Sequence, residues 1–347
     1  MARKYFSLLL GGLIMDYRAV NAKIKAMKSR LLTPSDYHEL AKSKSVPEIF
    51  TKLKNFHTYK KIVVNLNENN LHRGNIENNL TLPLMDDFKH IYNFVPDFKL
   101  KKYLSAFFMR NEINILKSIL SMIYDKKDIK YALYELNFLL GNKLNVNTKK
   151  LAASSSIDEF INNLKGTKFY NLLYETYNQF HSLFKLEIEL DLYYYSYLQK
   201  LQRKYVHGED KKILDRIQGI KNDLTNINLI YRIKKYYNFD SASIFSYLIP
   251  NKCKLNSTEI SRMIKSNTID ELKKVLYKTY YGKLFAANEN LKIERITYIC
   301  LSNEYYKFYL RGSNNISGIM YLLYLKQLEL SNITSIIEGV RYLLPEK

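Results

Sequence analysis

Apolar residues recur along most of this chain at steps of three and four, the period of a helix with one buried face. The pattern repeats after polar segments that begin with Ser or Thr and have Glu three positions later: Ser45 to Glu48, Ser156 to Glu159, and Thr268 to Glu271. The apolar positions that follow have matching offsets: Val46, Ile49 and Leu53; Ile157, Phe160 and Leu164; Ile269, Leu272 and Leu276. Similarity at a fixed period predicts a chain built by internal repetition.

Each polar segment has the form of a capping box. In this motif the Ser or Thr hydroxyl accepts a hydrogen bond from a first-turn amide, and the Glu carboxylate accepts one from the cap residue's own N–H. The glutamates recur at intervals of 111 and 112 residues. The pattern therefore predicts a set of repeat-equivalent helix caps: Ser45, Glu48, Ser156, Glu159, Thr268 and Glu271.

A second marker has the same period. The acids Glu112, Asp223 and Glu329 each precede an apolar helical run, at intervals of 111 and 106 residues, and the triplets at 143–145 and 254–256 both read Lys-Leu-Asn. An acid in the first turn of a helix is stabilised by the macrodipole by about 0.3–1 kcal/mol. We therefore interpret these acids as structural anchors, with contact to a partner protein as the alternative.

Length and composition favour a helical protein with a substantial core. The chain has 347 residues, 47% of them hydrophobic, and only 11 Gly and 6 Pro interrupt the helical pattern. The predicted fold is all-α, with similar helical subdomains of about 110 residues. The predicted organisation is an N-terminal extension at 1–16, then repeats at 17–125, 126–238 and 239–347.

The amino end is similar to a signal peptide, with a basic start followed by an apolar run at 6–15. No small-residue cleavage site follows, and a membrane span needs about 20 apolar residues. A packed or frayed extension is the favoured interpretation, and a signal is the alternative. Cys253 and Cys300 are the only cysteines and have no partner at metal-ligand spacing, which favours a reducing compartment.

Catalytic patterns are absent from the sequence. The histidines form no HExxH motif, and no glycine-rich phosphate loop is present. We therefore predict no catalytic, cofactor-binding or metal site. The tyrosine run at 193–195 with Tyr197 could stack on nucleic-acid bases, but successive helical positions point in different directions, so core packing is favoured.

The formal net charge of +21 favours anionic partners such as nucleic acid, acidic protein surfaces or lipid headgroups. Lysines are spread along the whole chain, which a compositional bias on solvated helix faces would also explain. The charge alone leaves both interpretations open.

Several segments in order resemble the C/d family of V-type and A-type ATPase subunits. They are the opening run at 17–32 that ends in Arg30-Leu31-Leu32, Asp36-Tyr37 with Leu40 and Thr58-Tyr59, Arg110 through Ile119, Glu189 through Tyr195, and the set Lys326, Glu329, Asn332, Ile333, Gly339 and Leu343-Leu344-Pro345. The resemblance covers 17–347. It departs from the pattern at 1–16 and at Ile115, where the other repeats have Asn226 and Asn332.

The resemblance implies a non-catalytic central-stalk subunit of a rotary ATPase, which couples the shaft to the membrane ring during ATP-linked proton or sodium transport. It implies a funnel of helical subdomains with threefold pseudo-symmetry, peripheral on the cytoplasmic face. The implied partners are D/F-type shaft subunits and the proteolipid ring, with anionic lipid headgroups as a further candidate and no cofactor. A basic helical-repeat protein that binds nucleic acid is the main alternative, although no nucleic acid is expected, and an enzyme with a nonstandard site is the other.

Overall fold

The computed structural model describes residues 17–60, 73–126, 150–151, 153–237, 239–312 and 314–342. Every regular element in these ranges is helical, and they contain no strand. The prediction of an all-α chain is thereby confirmed for the described residues. The predicted extension at 1–16, the triplet Lys143-Leu144-Asn145 and the closing Leu343-Leu344-Pro345 lie outside these ranges.

The helices vary in length from short to very long. In chain order they are α1 (Tyr17–Lys28), α2 (Pro34–Ala41), α3 (Val46–Leu53), α4 (Arg73–Phe94), α5 (Phe98–Tyr124), α6 (Ile157–Asn163), α7 (Tyr170–Phe180), α8 (Leu183–Tyr205), α9 (Gly208–Tyr236), α10 (Ser241–Ser246), α11 (Ser257–Lys265), α12 (Ile269–Leu276), α13 (Gly282–Ala287), α14 (Ile293–Arg311) and α15 (Ser317–Arg341). The repeated caps start α3, α6 and α12.

Contacts divide the chain into two compact units. One contains 1–201 together with 322–347, and the other contains 202–321. The boundaries fall within α8 and α15. This division concerns contacts and leaves the repeats at 17–125, 126–238 and 239–347 as a prediction.

A hydrophobic cluster in the first unit joins early and late parts of the chain. The apolar face of α2 and α3 packs with α4 and α15, and the buried members are Leu32, Leu40, Ile49, Phe50, Leu53, Tyr59, Ile76, Leu80, Ile333 and Ile337. Full burial of one such side chain contributes about 1.5–3 kcal/mol. The C-terminal helix α15 is therefore part of the core of the first capped segment.

In the second unit α9 packs against α14 and α12, and α11 packs against α12. The segment that precedes α11 passes very close to α9 at Gly219. A Cβ atom built on Gly219 would lie 2.7 Å from Cβ of Cys253, so this approach requires a residue without a side chain. The close approach brings the backbone at 253–255 next to α9.

None of the described helices combines the length and the apolar character that a membrane crossing requires.

Candidate functional site at the repeated mid-helix acids

Asp223 lies at the centre of a buried hydrogen-bond cluster in the second unit. Its side chain is fully buried, with 0% exposure. The carboxylate accepts bonds from the N–H groups of Cys253, Lys254 and Leu255 at 3.0, 2.6 and 3.1 Å. The Tyr281 hydroxyl donates a further bond at 2.8 Å. One carboxylate thus fixes both ends of the segment that contains the third repeated cap.

Glu329 holds a comparable cluster in the first unit and is 2% exposed. It accepts a hydrogen bond from the N–H of Leu32 at 2.6 Å and one from the Tyr59 hydroxyl at 2.6 Å. Lys326 lies 3.6 Å from the same carboxylate and 2.9 Å from Asp87. Because the charge of Glu329 has donors and a cation around it, its burial is compensated.

The hydroxyl partners of these acids are held in their neutral form. Burial, and then the charge of Glu329, raise the pKa of Tyr59 far above the ordinary tyrosine value. Burial and the charge of Asp223 do the same to the pKa of Tyr281. A neutral phenol can donate to a carboxylate, whereas a phenolate cannot. Both tyrosines therefore act as hydrogen-bond donors and are not poised for proton transfer near neutral pH.

Both acids hydrogen-bond the backbone directly before the cap of a short helix. Leu32 directly precedes Thr33, the cap of α2, and Leu255 directly precedes Asn256, the cap of α11. Thr33 and Asn256 each form a complete capping box. The repeated acid therefore fixes the entrance to a short capped helix in both places.

Glu112 has a different environment. Its carboxylate forms an ion pair with Lys168 at 2.5 Å, and its side chain is 16% exposed. The triplet Lys143-Leu144-Asn145, which matches 254–256 in sequence, lies outside the described residues. Within the part of the chain that the structure describes, Glu112 joins α5 to the segment after α6.

The acids do not lie in the first turns of their helices, so that part of the sequence interpretation is wrong. Glu112 lies in the middle of α5, Asp223 in the middle of α9 and Glu329 in the middle of α15. Each helix starts well before the acid because polar and apolar helix formers extend the pattern upstream. The macrodipole therefore contributes little, since its effect falls off within the first turn. The hydrogen-bond donors of neighbouring segments stabilise Asp223 and Glu329 instead.

The repeated caps have a common geometry that differs from the predicted one in one bond. Hydroxyls of Ser45, Ser156 and Thr268 accept from the N–H groups of Glu48, Glu159 and Glu271 at 3.4, 3.1 and 3.1 Å. The glutamate carboxylates accept from the residue before the cap, and not from the cap itself. The donors are the N–H groups of Lys44, Ser155 and Asn267, each at 2.8 Å. These backbone bonds are the leading cause that lowers the pKa of Glu48 and Glu159.

An open groove of about 310 Å³ is lined by Thr81, Leu330, Ser331, Thr334 and Ser335, and these side chains form no recognisable catalytic set. No group of His, Cys, Asp and Glu side chains among the described residues could hold a metal ion. The buried acids bind backbone and tyrosine donors of the chain itself, so their arrangement serves to join segments.

Comparison with known proteins gives a consistent result. The model of the ATP synthase (C/AC39) subunit family matches residues 20–347. The chain belongs to this family. It is similar to the C subunit of the A-type ATP synthase of Methanocaldococcus jannaschii, with 24% identity over 347 residues that cover 96% of the chain and 85% of the relative. The equivalent protein of Pyrococcus abyssi is 29% identical over 275 residues, which cover 77% of the chain and 69% of the relative.

Family membership confirms the resemblance inferred from the ordered motifs, and two of those motifs meet in space. Arg110, from the motif on α5, donates to Asp191 on α8 at 2.9 Å, and Lys117 bonds the same carboxylate at 2.8 Å. The Arg110 guanidinium also lies 5.1 Å from the centre of the Tyr194 ring. Tyr194 and Tyr195 are buried, at 3% and 9% exposure. These family-like residues therefore join two long helices.

Comparable charge pairs join the other long helices of this family member. Lys326 on α15 bonds Asp87 on α4, and Arg216 on α9 lies 3.7 Å from Glu304 on α14. The acids Asp87 and Glu304 were not singled out from the sequence, and Asp191 was noted only as part of a family-like segment. Their position opposite a basic side chain of another helix depends on the packing, which a single sequence does not display.

A recurrent aromatic position was also missed. The helices that carry the repeated acids end at or next to exposed tyrosines, with exposures of 64% at Tyr124, 65% at Tyr236 and 61% at Tyr342. These tyrosines follow their acids by 12, 13 and 13 residues, a spacing that could have been read from the sequence. An exposed tyrosine therefore recurs after each of the three acids.

Proposed function

We propose that this chain is the non-catalytic central-stalk subunit of a rotary ATPase and couples the shaft to the membrane proteolipid ring. The D/F-type shaft subunits and the ring are its proposed partners, on the cytoplasmic face of the membrane. The observation that carries this proposal is the family match over residues 20–347. A coupling part must transmit torque without deforming, which requires firmly joined segments and no reaction of its own.

The buried acids support this mechanical role. Asp223 and Glu329 are both at most 2% exposed and have donors from other segments as partners. An acid used in catalysis or ion transfer needs access to a substrate or to water. These carboxylates lack such access and instead cross-link the fold, as expected of a stiff connecting part.

Recurrent helix pairs support three similar subdomains. Helix α15 holds the segment of α2 and α3, helix α5 packs against α6, and helix α9 packs against α12. Each helix that carries a repeated acid is thus associated with one of the repeated caps. We propose that these associations form similar subdomains in a funnel into which the shaft inserts.

Binding to the ring can be tested without contributions from lipid charge. Vesicles of zwitterionic phosphatidylcholine are prepared with and without the purified proteolipid ring, and binding of the full chain is measured by co-flotation. The proposal predicts at least tenfold more bound protein when the ring is present, and retention of the chain when shaft subunits are added. Equal binding to both vesicles would contradict the proposal.

The absence of intrinsic turnover can be tested separately. The homogeneous chain should neither bind nor hydrolyse ATP, whereas the complex assembled from all subunits should hydrolyse it and transport ions only when this chain is included. ATP turnover by the isolated chain that disappears on a point substitution within it would show an enzyme. Full ATP-linked transport by complexes that lack the chain would also contradict the coupling role.

A further inference from the structure

The turn between α4 and α5 exposes two large apolar side chains to solvent. Helix α4 ends at Phe94, and α5 begins at Phe98 after the short connection 95–97. Phe94 is 44% exposed and Phe98 is 65% exposed. The connection itself is well formed, because Val95 is buried and the Asp97 carboxylate caps α5 through the N–H of Lys99 at 2.8 Å. We refer to residues 94–102 together with Lys23 as the phenylalanine turn.

A lysine ammonium group lies over each exposed ring. The Nζ atom of Lys23 lies 5.3 Å from the centre of the Phe94 ring, and that of Lys102 lies 5.0 Å from the centre of the Phe98 ring. Lys99 is exposed on the same helical turn. The ammonium groups therefore cover the ring faces in water, through contacts that an approaching anion could replace.

The corresponding turn between α8 and α9 is built in another way. Its acids Glu209 and Asp210 accept hydrogen bonds from the side chain of Asn315 and the N–H of Ile316, at 3.0 and 2.8 Å. The acids of that turn are engaged within their own unit, and exposed lysines flank them at 204 and 212. Exposed phenylalanines are thus not a general requirement of a connection between two long helices here.

We propose that the phenylalanine turn is a contact site for an anionic lipid surface. The phenylalanines enter the boundary between headgroups and acyl chains, and the lysines bind the headgroup phosphates. This inference deepens the membrane contact of the proposed function and depends on it only for the membrane's presence. The ring is not needed to test it.

The residue types favour lipid over the other anionic partners. Lysine is depleted in protein–protein interfaces relative to the rest of the surface. The cations over these rings are Lys23 and Lys102, and Lys99 and Lys101 lie in the same turn of α5. Phenylalanine has no polar group to satisfy, so it suits immersion in an apolar layer better than the edge of a hydrated nucleic acid.

The chain contains no tryptophan, so a single introduced one reports on a single position. Phe98→Trp is titrated with vesicles of phosphatidylcholine alone and with vesicles that contain phosphatidylglycerol. The matched control is Tyr124→Trp at the other end of α5, because Tyr124 has 64% exposure and lies roughly 40 Å from position 98 along the helix. The proposal predicts a blue shift and protection from quenching for Phe98→Trp with the anionic vesicles and no change for Tyr124→Trp.

Charge and apolar contributions are then separated by co-flotation with the anionic vesicles. Lys99→Gln with Lys102→Gln should weaken binding on the order of 25-fold, since each lysine near an anionic surface contributes about fivefold. Phe94→Ser with Phe98→Ser should weaken it on the order of tenfold. The control Lys278→Gln with Lys283→Gln removes the same charge from other exposed positions and should change binding less than threefold.

Several outcomes would overturn this proposal while leaving ring binding untouched. Equal losses in the two lysine pairs would show that net charge alone acts. A blue shift at both tryptophan positions would show nonspecific adsorption. Saturable binding of Phe98→Trp to an acidic protein or to DNA, with no response to the anionic vesicles, would assign the phenylalanine turn to a different class of partner.

Discussion

Replacement of Asp223 by Asn tests whether the mid-helix acids join the fold. The substitution keeps the shape of the side chain but removes its charge and turns one acceptor atom into a donor. The backbone N–H groups of Lys254 and Leu255 and the Tyr281 hydroxyl all point at Oδ2, so an amide nitrogen there would face donors only. Rotation of the amide would move the same conflict to Cys253.

The magnitude follows from the number and burial of these bonds. A hydrogen bond to a charged group contributes about 1.5–3 kcal/mol, but such contributions within one cluster are not additive. Loss of one partner from a buried charged cluster typically costs about 3–5 kcal/mol. Because Asp223 is fully buried, we expect a loss of about 3–5 kcal/mol in the free energy of unfolding of the unit at 202–321.

Urea unfolding followed by circular dichroism measures the loss of stability. Hydrogen exchange with mass spectrometry localises it, and the amides of residues 253–255 should lose protection. Two substitutions provide the scale. Tyr281→Phe removes one neutral donor and should cost about 1–2 kcal/mol, whereas Glu112→Gln affects a partly exposed ion pair and should cost less than about 1 kcal/mol.

The order of these effects is the critical result. An unchanged urea midpoint for Asp223→Asn, with normal protection at 253–255, would refute the reasoning. A loss for Glu112→Gln that equals the loss for Asp223→Asn would refute it as well, because burial would then not determine the contribution.

Other expectations concern the caps, alkaline pH and the thiols. Ser156→Ala removes the acceptor for the amide of Glu159 and should lower stability by about 1 kcal/mol, and an unchanged urea midpoint would contradict this. The pKa of Tyr59 is raised in the folded state, so the stability it contributes is present below the ordinary tyrosine value near 10 and is lost as the pH rises above it. Unfolding midpoints measured on both sides of that value should fall less steeply for Tyr59→Phe than for the parent chain, and equal slopes would count against the assignment. A thiol reagent at about pH 8 should modify partly exposed Cys253 well before Cys300, because burial and Glu304 raise the pKa of Cys300 to about 11. Mass spectrometry follows the labelling of each cysteine, and equal labelling rates would argue against this expectation.

Local features of the fold could be predicted from the sequence because their causes are local. The hydroxyls of Ser45, Ser156 and Thr268 accept first-turn amides in the structure, and the apolar offsets after them correspond to buried faces such as Ile49 and Leu53. The bond from each glutamate to the residue before the cap was not predicted, because backbone angles at the cap decide which N–H the carboxylate reaches.

Partners distant in the chain could not be predicted in the same way. Glu329 bonds a residue 297 positions away, and no periodic pattern shows which donors will face a carboxylate after packing. A signal was nevertheless present for the tyrosines. Tyr59 and Tyr281 follow the first and third repeated caps by 14 and 13 residues, whereas the second capped segment has Phe169 at this position. The tyrosine at this position, present after the first and third caps only, would have indicated a hydroxyl that bonds a buried acid.

The bond between Glu329 and Leu32 also determines when the protein can finish folding during its synthesis. A ribosome adds about 5–20 residues per second, so α15 follows Leu32 by roughly 15–60 s. Throughout that time the apolar face of α2 and α3 has no α15 to cover it, and chaperones or early self-association can act on the nascent chain. A circular permutant could join the two ends of the chain by a linker and open it at an exposed turn elsewhere. In that chain α15 would be synthesised close in time to α2 and α3, so the permutant should acquire protease resistance sooner during translation.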